Sequence, residues 1–210
     1  MHTTSNSNTF TVDRDLDLFI DNYILYLYEL MKKLDKNEIK KYIEELQRCY
    51  SDNNTMFIIG NGGSASASSH IANDVNLGIT KKSNFIRPFK AHSLTDNMSV
   101  ITAIANDLDY DDIFVQQLRM YYQEGDILLA ISASGNSPNI IRAVEWVKSH
   151  GGKVISFVGF DGGKLKVLSD IVVHINSLAD EYGPVEDIQL IINHLTVAWL
   201  QNEILNNFEV

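Results

Sequence analysis

The chain has 210 residues, 45% of them apolar and 10% aromatic, with 17 Lys and Arg against 27 Asp and Glu for a formal net charge of −10. That length suits one globular domain with a sizeable core, and the apolar content excludes wholesale disorder. A surface so acidic repels nucleic-acid backbones unless a basic face is segregated, and the only dense Lys pairs are Lys32-Lys33, Lys40-Lys41 and Lys81-Lys82, so the anions left to consider are small ones.

Residues 1–13 are rich in Thr, Ser and Asn and are expected to be disordered, with a single domain over 14–210. They lack a basic segment followed by an apolar one, no apolar run approaches the roughly 18 residues of a membrane span, and Cys49 is the only cysteine; a cytoplasmic location is expected. Asp15 to Leu34 carries Leu18, Phe19, Ile24, Leu25, Tyr28 and Met31 at near-helical spacing. Lys36 to Tyr50 continues the pattern with Ile39, Tyr42, Ile43 and Leu46, which makes a helical hairpin of the kind that packs on a neighbouring subunit.

From residue 55 the texture changes to short uninterrupted apolar runs at 56–59, 127–131, 154–158 and 171–173, as expected of parallel strands covered on both faces. A weaker strand is expected at 89–92, and helices near Ser64–Leu77, Asn97–Ala105, Asp112–Tyr122 and Ser137–His150. Alternation of this length predicts an α/β three-layer sandwich of flavodoxin type around a mostly parallel sheet. A last helix is expected after Gly183-Pro184, running to about Asn206 on a buried stripe of Val185, Ile188, Ile192, Leu195 and Trp199.

In such a sheet the residues to inspect follow the carboxyl ends of the strands. Gly60-Asn61-Gly62-Gly63-Ser64 lets backbone approach a ligand and offers the N–H groups of the next helix, although an ordinary turn with an N-cap reads the same way. In Ser132-Ala133-Ser134-Gly135-Asn136-Ser137, three hydroxyls converge with another helix start, which suits a phosphate monoester. No acidic residue for ribose recognition follows about 20 residues on, and no Lys follows the glycines, so two such loops favour a sugar phosphate over a dinucleotide.

Four titratable residues fall near these loops: His70 and Asp74 on one helix face, and Glu186 and His194 on the last helix. A surface hydrogen bond, capping of the helix dipole and a satisfied core histidine are their structural alternatives. His92, His150 and His174 read as structural.

The segments Phe57-Ile58-Ile59-Gly60-Asn61-Gly62-Gly63-Ser64-Ala65 with His70, Ala105-Asn106-Asp107, 125–137 and Gly159-Phe160-Asp161-Gly162-Gly163-Lys164 together resemble the sugar isomerase (SIS) domain of phosphoheptose isomerases, over about residues 15–205. The resemblance implies isomerisation of sedoheptulose 7-phosphate to the aldose heptose 7-phosphate by a homotetramer with active sites between subunits and a bound divalent metal, usually zinc. It assigns the phosphate to Ser132, Ala133, Ser134 and Ser137, and the sugar to Asn61, Gly62, Gly63, Asn106 and Asp107. His70 matches a metal ligand, Asp74 the family's catalytic and metal-binding glutamate, and His194 its catalytic, metal-binding histidine. Glu186 falls where the family has a substrate- and metal-binding glutamine.

Asp74 is one methylene short of the family residue, a difference of roughly 1 Å at the carboxylate that the longer Glu186 is positioned to offset. Glu186 and His194 are also eight residues apart, about 12 Å along a helix and about 80° around it, so Asp187 on the stripe of His194 is the alternative acid. Ketose–aldose interconversion needs a base and an acid, for which Asp74 and His194 are the pair. His70 and Glu186 would complete a two-histidine, two-carboxylate site suited to zinc and open to manganese or iron. The same loops occur in SIS proteins that bind a protein partner without catalysis, of the replication-initiator-associating type, and in isomerases of other sugar phosphates. Sugar-phosphate-sensing regulators usually add a DNA-binding domain, for which this length leaves no room.

Overall fold

The computed structural model describes residues 15–81 and 87–207, so the expectation of disorder over 1–13 lies outside the described residues. Helices α1 (Leu16–Lys32) and α2 (Lys36–Ser51) form the hairpin, and the Asp15 and Asp35 carboxylates cap their first turns. There follow β1 (Met56–Gly60), α3 (Gly63–Asn73) with a π-helical turn (Asp74–Gly78), β2 (Ala91–Ser93), α4 (Met98–Asp107), a 3-10 turn (Tyr110–Asp112) and α5 (Val115–Tyr121). The chain continues through β3 (Ile127–Ser132), α6 (Pro138–Ser149), β4 (Lys153–Val158), α7 (Leu165–Leu168), β5 (Ile171–His174) and α8 (Tyr182–Asn207).

The five strands are parallel in the order β2-β1-β3-β4-β5, the flavodoxin-type order. Alternate residues of each strand enter opposite layers. Ile58, Leu129 and Phe157 pack under α1, α2, α3 and α8, whereas Phe57, Ile59, Leu128 and Val154 pack under α4, α5, α6 and α7. This is the three-layer sandwich expected. Among the described residues no helix is long and apolar enough to cross a membrane.

Three local expectations need correcting. The weak strand is Ala91–Ser93, and what holds this edge is the Asn76 amide, which donates to and accepts from the Ala91 backbone at 2.7 Å each way as a neighbouring strand would. Helix α8 starts at Tyr182, ahead of Gly183-Pro184; Pro184 sits in the first turn, where a missing N–H leaves no bond unmade. Its buried stripe is Val185, Ile188, Ile192 and Leu200, interleaved with the buried polar Gln189, Asn193 and Thr196. Leu195 and Trp199 are each 51% exposed, because they face an apolar groove between α2 and α8 rather than the sheet. Similarly Leu18, Ile24, Leu25 and Tyr28 of α1 are exposed, and among the described residues of that helix only Leu30 is buried.

Tyr42 of α2 packs edge-on against Phe157, with ring centroids 5.1 Å apart, and is completely buried, yet its hydroxyl has no hydrogen-bond partner among the described residues. An unmade buried hydrogen bond costs about 1–3 kcal/mol, so Tyr42→Phe is expected to leave stability unchanged or raise it by about 1 kcal/mol in urea unfolding. A loss of that size would show that the hydroxyl is bonded.

Candidate active site

Strands β1 and β3 are neighbours, but the helices that follow them, α3 and α6, lie on opposite faces of the sheet. Their loops therefore part at the carboxyl ends of the strands and open a crevice there. A cavity of about 150 Å³ occupies it, lined by Asn61 and Ser64 from the first loop, Ser132, Ser134 and Ser137 from the second, and Glu186 of α8. Among the described residues none that lines it is lysine or arginine, and these offer an anion hydroxyls and N–H dipoles.

The second loop is held from behind. Gly135 has φ +64°, and a Cβ built on it would lie 2.1 Å from the Gly162 carbonyl oxygen, so only glycine fits. Its own carbonyl accepts from Leu165 N–H at 3.1 Å, and Lys164 N–H donates to Asn136 Oδ1 at 3.1 Å. These bonds explain the Gly159–Lys164 segment that the sequence marks out. Ser137 is the N-cap of α6, but its hydroxyl makes no capping bond and is left to face the cavity. Asn139, buried in the first turn of α6, exchanges two 2.9 Å hydrogen bonds with Asn61 across the crevice. The Asn61 amide is thus engaged in joining the two loops, a task that sequence reasoning did not foresee.

Further along α3, seven residues or about 10 Å from Gly63, a second group assembles. His70 Nε2 lies 3.0 Å from Asp74 Oδ2 and 3.1 Å from His194 Nε2, and His194 Nε2 is 3.6 Å from Asp74 Oδ2. Both imidazoles are about half exposed and the carboxylate is 20% exposed, so the group is open to solvent on one side. Two ring nitrogens this close share one proton or a cation, since two lone pairs or two N–H groups would repel. Two imidazoles and a carboxylate with donor atoms about 3.0–3.6 Å apart fit a tetrahedral divalent ion, whose ligands at about 2.0–2.1 Å stand roughly 3.3 Å from one another. The π turn begins at Asp74, and such turns recur at functional positions.

The structure brings together His70, Asp74 and His194 but not Glu186, which is outside that group. The Glu186 carboxylate lies against Gly63, where a Cβ would come within 2.3 Å of its Oε1, at the N-terminus of α3. It therefore does not oppose Asp74 and does not offset the shorter acid. Burial, followed by the charge of Asp187, raises the pKa of Glu186 above the usual carboxylate value. Asp187 is exposed and accepts a 2.5 Å hydrogen bond from Tyr23 of α1, away from the histidines. Asn106 and Asp107 stand exposed at the end of α4, bonded to each other at 2.8 Å and outside the cavity lining. His92 is exposed on β2, His150 ends α6, and His174 contacts the Phe160 carbonyl at 2.9 Å.

The SIS domain pattern matches residues 19–159. The chain is 33% identical over 181 residues to the phosphoheptose isomerase of Helicobacter pylori strain P12, covering 85% of this chain and 92% of that protein. It superposes on phosphoheptose isomerase GmhA from Neisseria gonorrhoeae with a TM-score of 0.77 at 28% identity, over 89% of this chain and 96% of that one. The phosphoheptose isomerase from Francisella tularensis gives a TM-score of 0.79 at 26% identity, with the same coverages of 89% and 96%.

Glu186 puts an acid into the cavity that the serines line, so replacing it with glutamine is expected to tighten binding of inorganic phosphate at neutral pH by at least about threefold, as unit charges across a solvent-open gap repel by on the order of 1 kcal/mol. The gain should shrink as the pH is lowered through the raised pKa of Glu186, where the native side chain becomes neutral as well. Equal affinities at neutral pH, read by calorimetry, would place the anion elsewhere.

Proposed function

This chain belongs to the SIS-domain family of phosphoheptose isomerases, and from that premise we propose that it converts sedoheptulose 7-phosphate to D-glycero-D-manno-heptose 7-phosphate through an enediolate, for heptose-containing polysaccharides. The supporting observation is a spacing: a cavity of hydroxyls and helix N–H groups lies at the start of α3, and His70, seven residues or about 10 Å further along that helix, meets the Asp74 carboxylate and the His194 imidazole. A seven-carbon sugar with bonds of about 1.5 Å spans roughly that distance from its phosphate to C1 and C2.

In this reading Ser132, Ala133, Ser134 and Ser137 hold the phosphate, and Asn61, Gly62, Gly63, Asn106, Asp107 and Glu186 border the sugar chain. Asp74 takes a proton from C1 of the ketose, the C–H electron pair becomes the C1–C2 double bond as the carbonyl pair moves onto O2, His194 carries the hydroxyl proton from O1 to O2, and Asp74 returns its proton to C2 as the C1 carbonyl forms. His70 favours the developing negative charge. A divalent ion, zinc by the donor set, would be held by His70, Asp74 and His194 and would polarise the sugar oxygens; Glu186 joins that set only if its side chain turns away from Gly63. The exposed apolar residues of α1, with Leu195 and Trp199 of α8, support a homotetramer in which a neighbouring subunit covers the open side of the site. Residues 14–210 act as one unit in the cytoplasm. A partner-binding module without catalysis has no use for the His70–Asp74–His194 arrangement.

Replacing Ser134 and Ser137 together with alanine is expected to raise KM at least about tenfold with little change in kcat, because those hydroxyls hold the part of the substrate that does not react. An unchanged KM would remove them from the site. Asp74→Asn and His194→Gln are each expected to lower kcat by at least about a hundredfold, the scale of lost acid–base help. Metal content measured on the same preparations separates the roles: activity lost at full occupancy marks proton transfer, and activity lost with the metal marks ligation. Near-normal turnover in both variants would overturn the assignment.

A further inference from the structure

Asp74 is a short acid at the end of a regular helix, and the residue expected to offset its length lies elsewhere, against Gly63. What does reach it is Asn193. The Asn193 amide donates to Asp74 Oδ2 at 2.8 Å, shorter than that oxygen's contacts with His70 at 3.0 Å and His194 at 3.6 Å. The other carboxylate oxygen, Oδ1, receives only a 3.3 Å bond from the adjacent Asn73.

Asn193 is fully buried, on the face of α8 that carries Ile188, Ile192 and Leu200 into the core. An ionised carboxylate can only accept, so the N–H2 end of the amide must face Asp74, and Oδ1 of Asn193 is left in the core without a partner among the described residues. An apolar side chain would pack there without that unmade bond. Gln189 and Thr196 on the same face of α8 are also buried with polar atoms unpaired among the described residues, and of the three it is Asn193 whose amide reaches an acid. Its neighbour in sequence, His194, turns outward to the other side of the same carboxylate. Successive residues of one helix turn thus grip Asp74 Oδ2 from the core side and from the solvent side.

We infer that Asn193 is a positioning residue for Asp74: by holding Oδ2 it fixes the rotation of the carboxylate, and it leaves Oδ1 directed to the reacting carbon. The kinetic consequence rests on the isomerase reading above; the contact does not.

Asn193→Leu keeps the branched four-atom side-chain skeleton and removes the donor. It is expected to lower kcat at least tenfold, to leave KM within about twofold because the phosphate loops are untouched, and to leave the melting temperature unchanged or higher. Adding Asp74→Glu to Asn193→Leu is expected to recover most of the lost kcat, since the extra methylene replaces the reach that the amide supplied. A structural role would not be relieved by lengthening an acid on another helix, so an unrelieved fall, or no fall, overturns the inference. Should Asn193→Leu fail to fold, Asn193→Ala, which withdraws the donor without adding bulk, gives the same two readings. The side-chain amide signals of Asn193, identified in proton–nitrogen spectra by their loss in the variant, are expected to shift on Asp74→Asn. If the unaltered protein is inactive with divalent metal supplied, the isomerase reading fails, and signals that do not move would overturn the Asn193 contact independently of it.

Discussion

The parallel pairing of β1 with β3 is the constraint on which the site depends. Its register, Gly60 opposite Ile131, ends both strands at the same level, so the loops that follow emerge side by side. Since α3 and α6 then leave on opposite faces, two helix N-termini converge on one crevice without competing for the same layer. The reciprocal amide bonds of Asn61 and Asn139 fix the width of that crevice, and the Gly135–Gly162 contact fixes its depth. A shift of one residue in the β1–β3 register would turn every apolar side chain of a strand to the wrong layer, so the geometry of the loops is as secure as the core itself.

The second half of the site depends on how α3 meets α8. Both helices lie in the same layer, and their crossing brings His70 and Asp74 to His194 from residues more than a hundred positions apart. The π turn from Asp74 to Gly78 widens α3 where it passes α8, and the Asn76 amide ties that turn to the edge of the sheet through Ala91. The acid at the centre of the group is therefore anchored to the sheet behind it and to α8 beside it.

Much of this was legible from residue order. Uninterrupted apolar runs at 56–59 and 127–131 have one meaning in an α/β chain, and glycines and serines directly after them mark the loops. The pairing of His70 with Asp74 follows from helical spacing. What the pattern could not give was rotation about α8. That helix is apolar on the face toward the sheet and also on the face toward the α2 groove, so Leu195 and Trp199 read as core although they are open to solvent. The same ambiguity hid Asn193, whose polarity looks like surface until the fold shows it buried; the spacing of Gln189, Asn193 and Thr196 at intervals of four and three was the available signal. The direction of Glu186 was not legible either, because that of a long side chain is set by its neighbours, here Gly63, which leaves room for a carboxylate that any other residue would exclude.

The lining of the serine cavity, which among the described residues holds no lysine or arginine, bears on turnover. Substrate and product of an isomerase carry the same phosphate, so whatever grips it stabilises both equally and contributes nothing to the barrier between them. A cationic clamp would hold both longer and make departure the slow step. Hydroxyls and helix dipoles orient the anion with less retention and with weak dependence on ionic strength. Such a grip suits an enzyme whose two ligands differ only at the far end of the chain, where the cavity has no say.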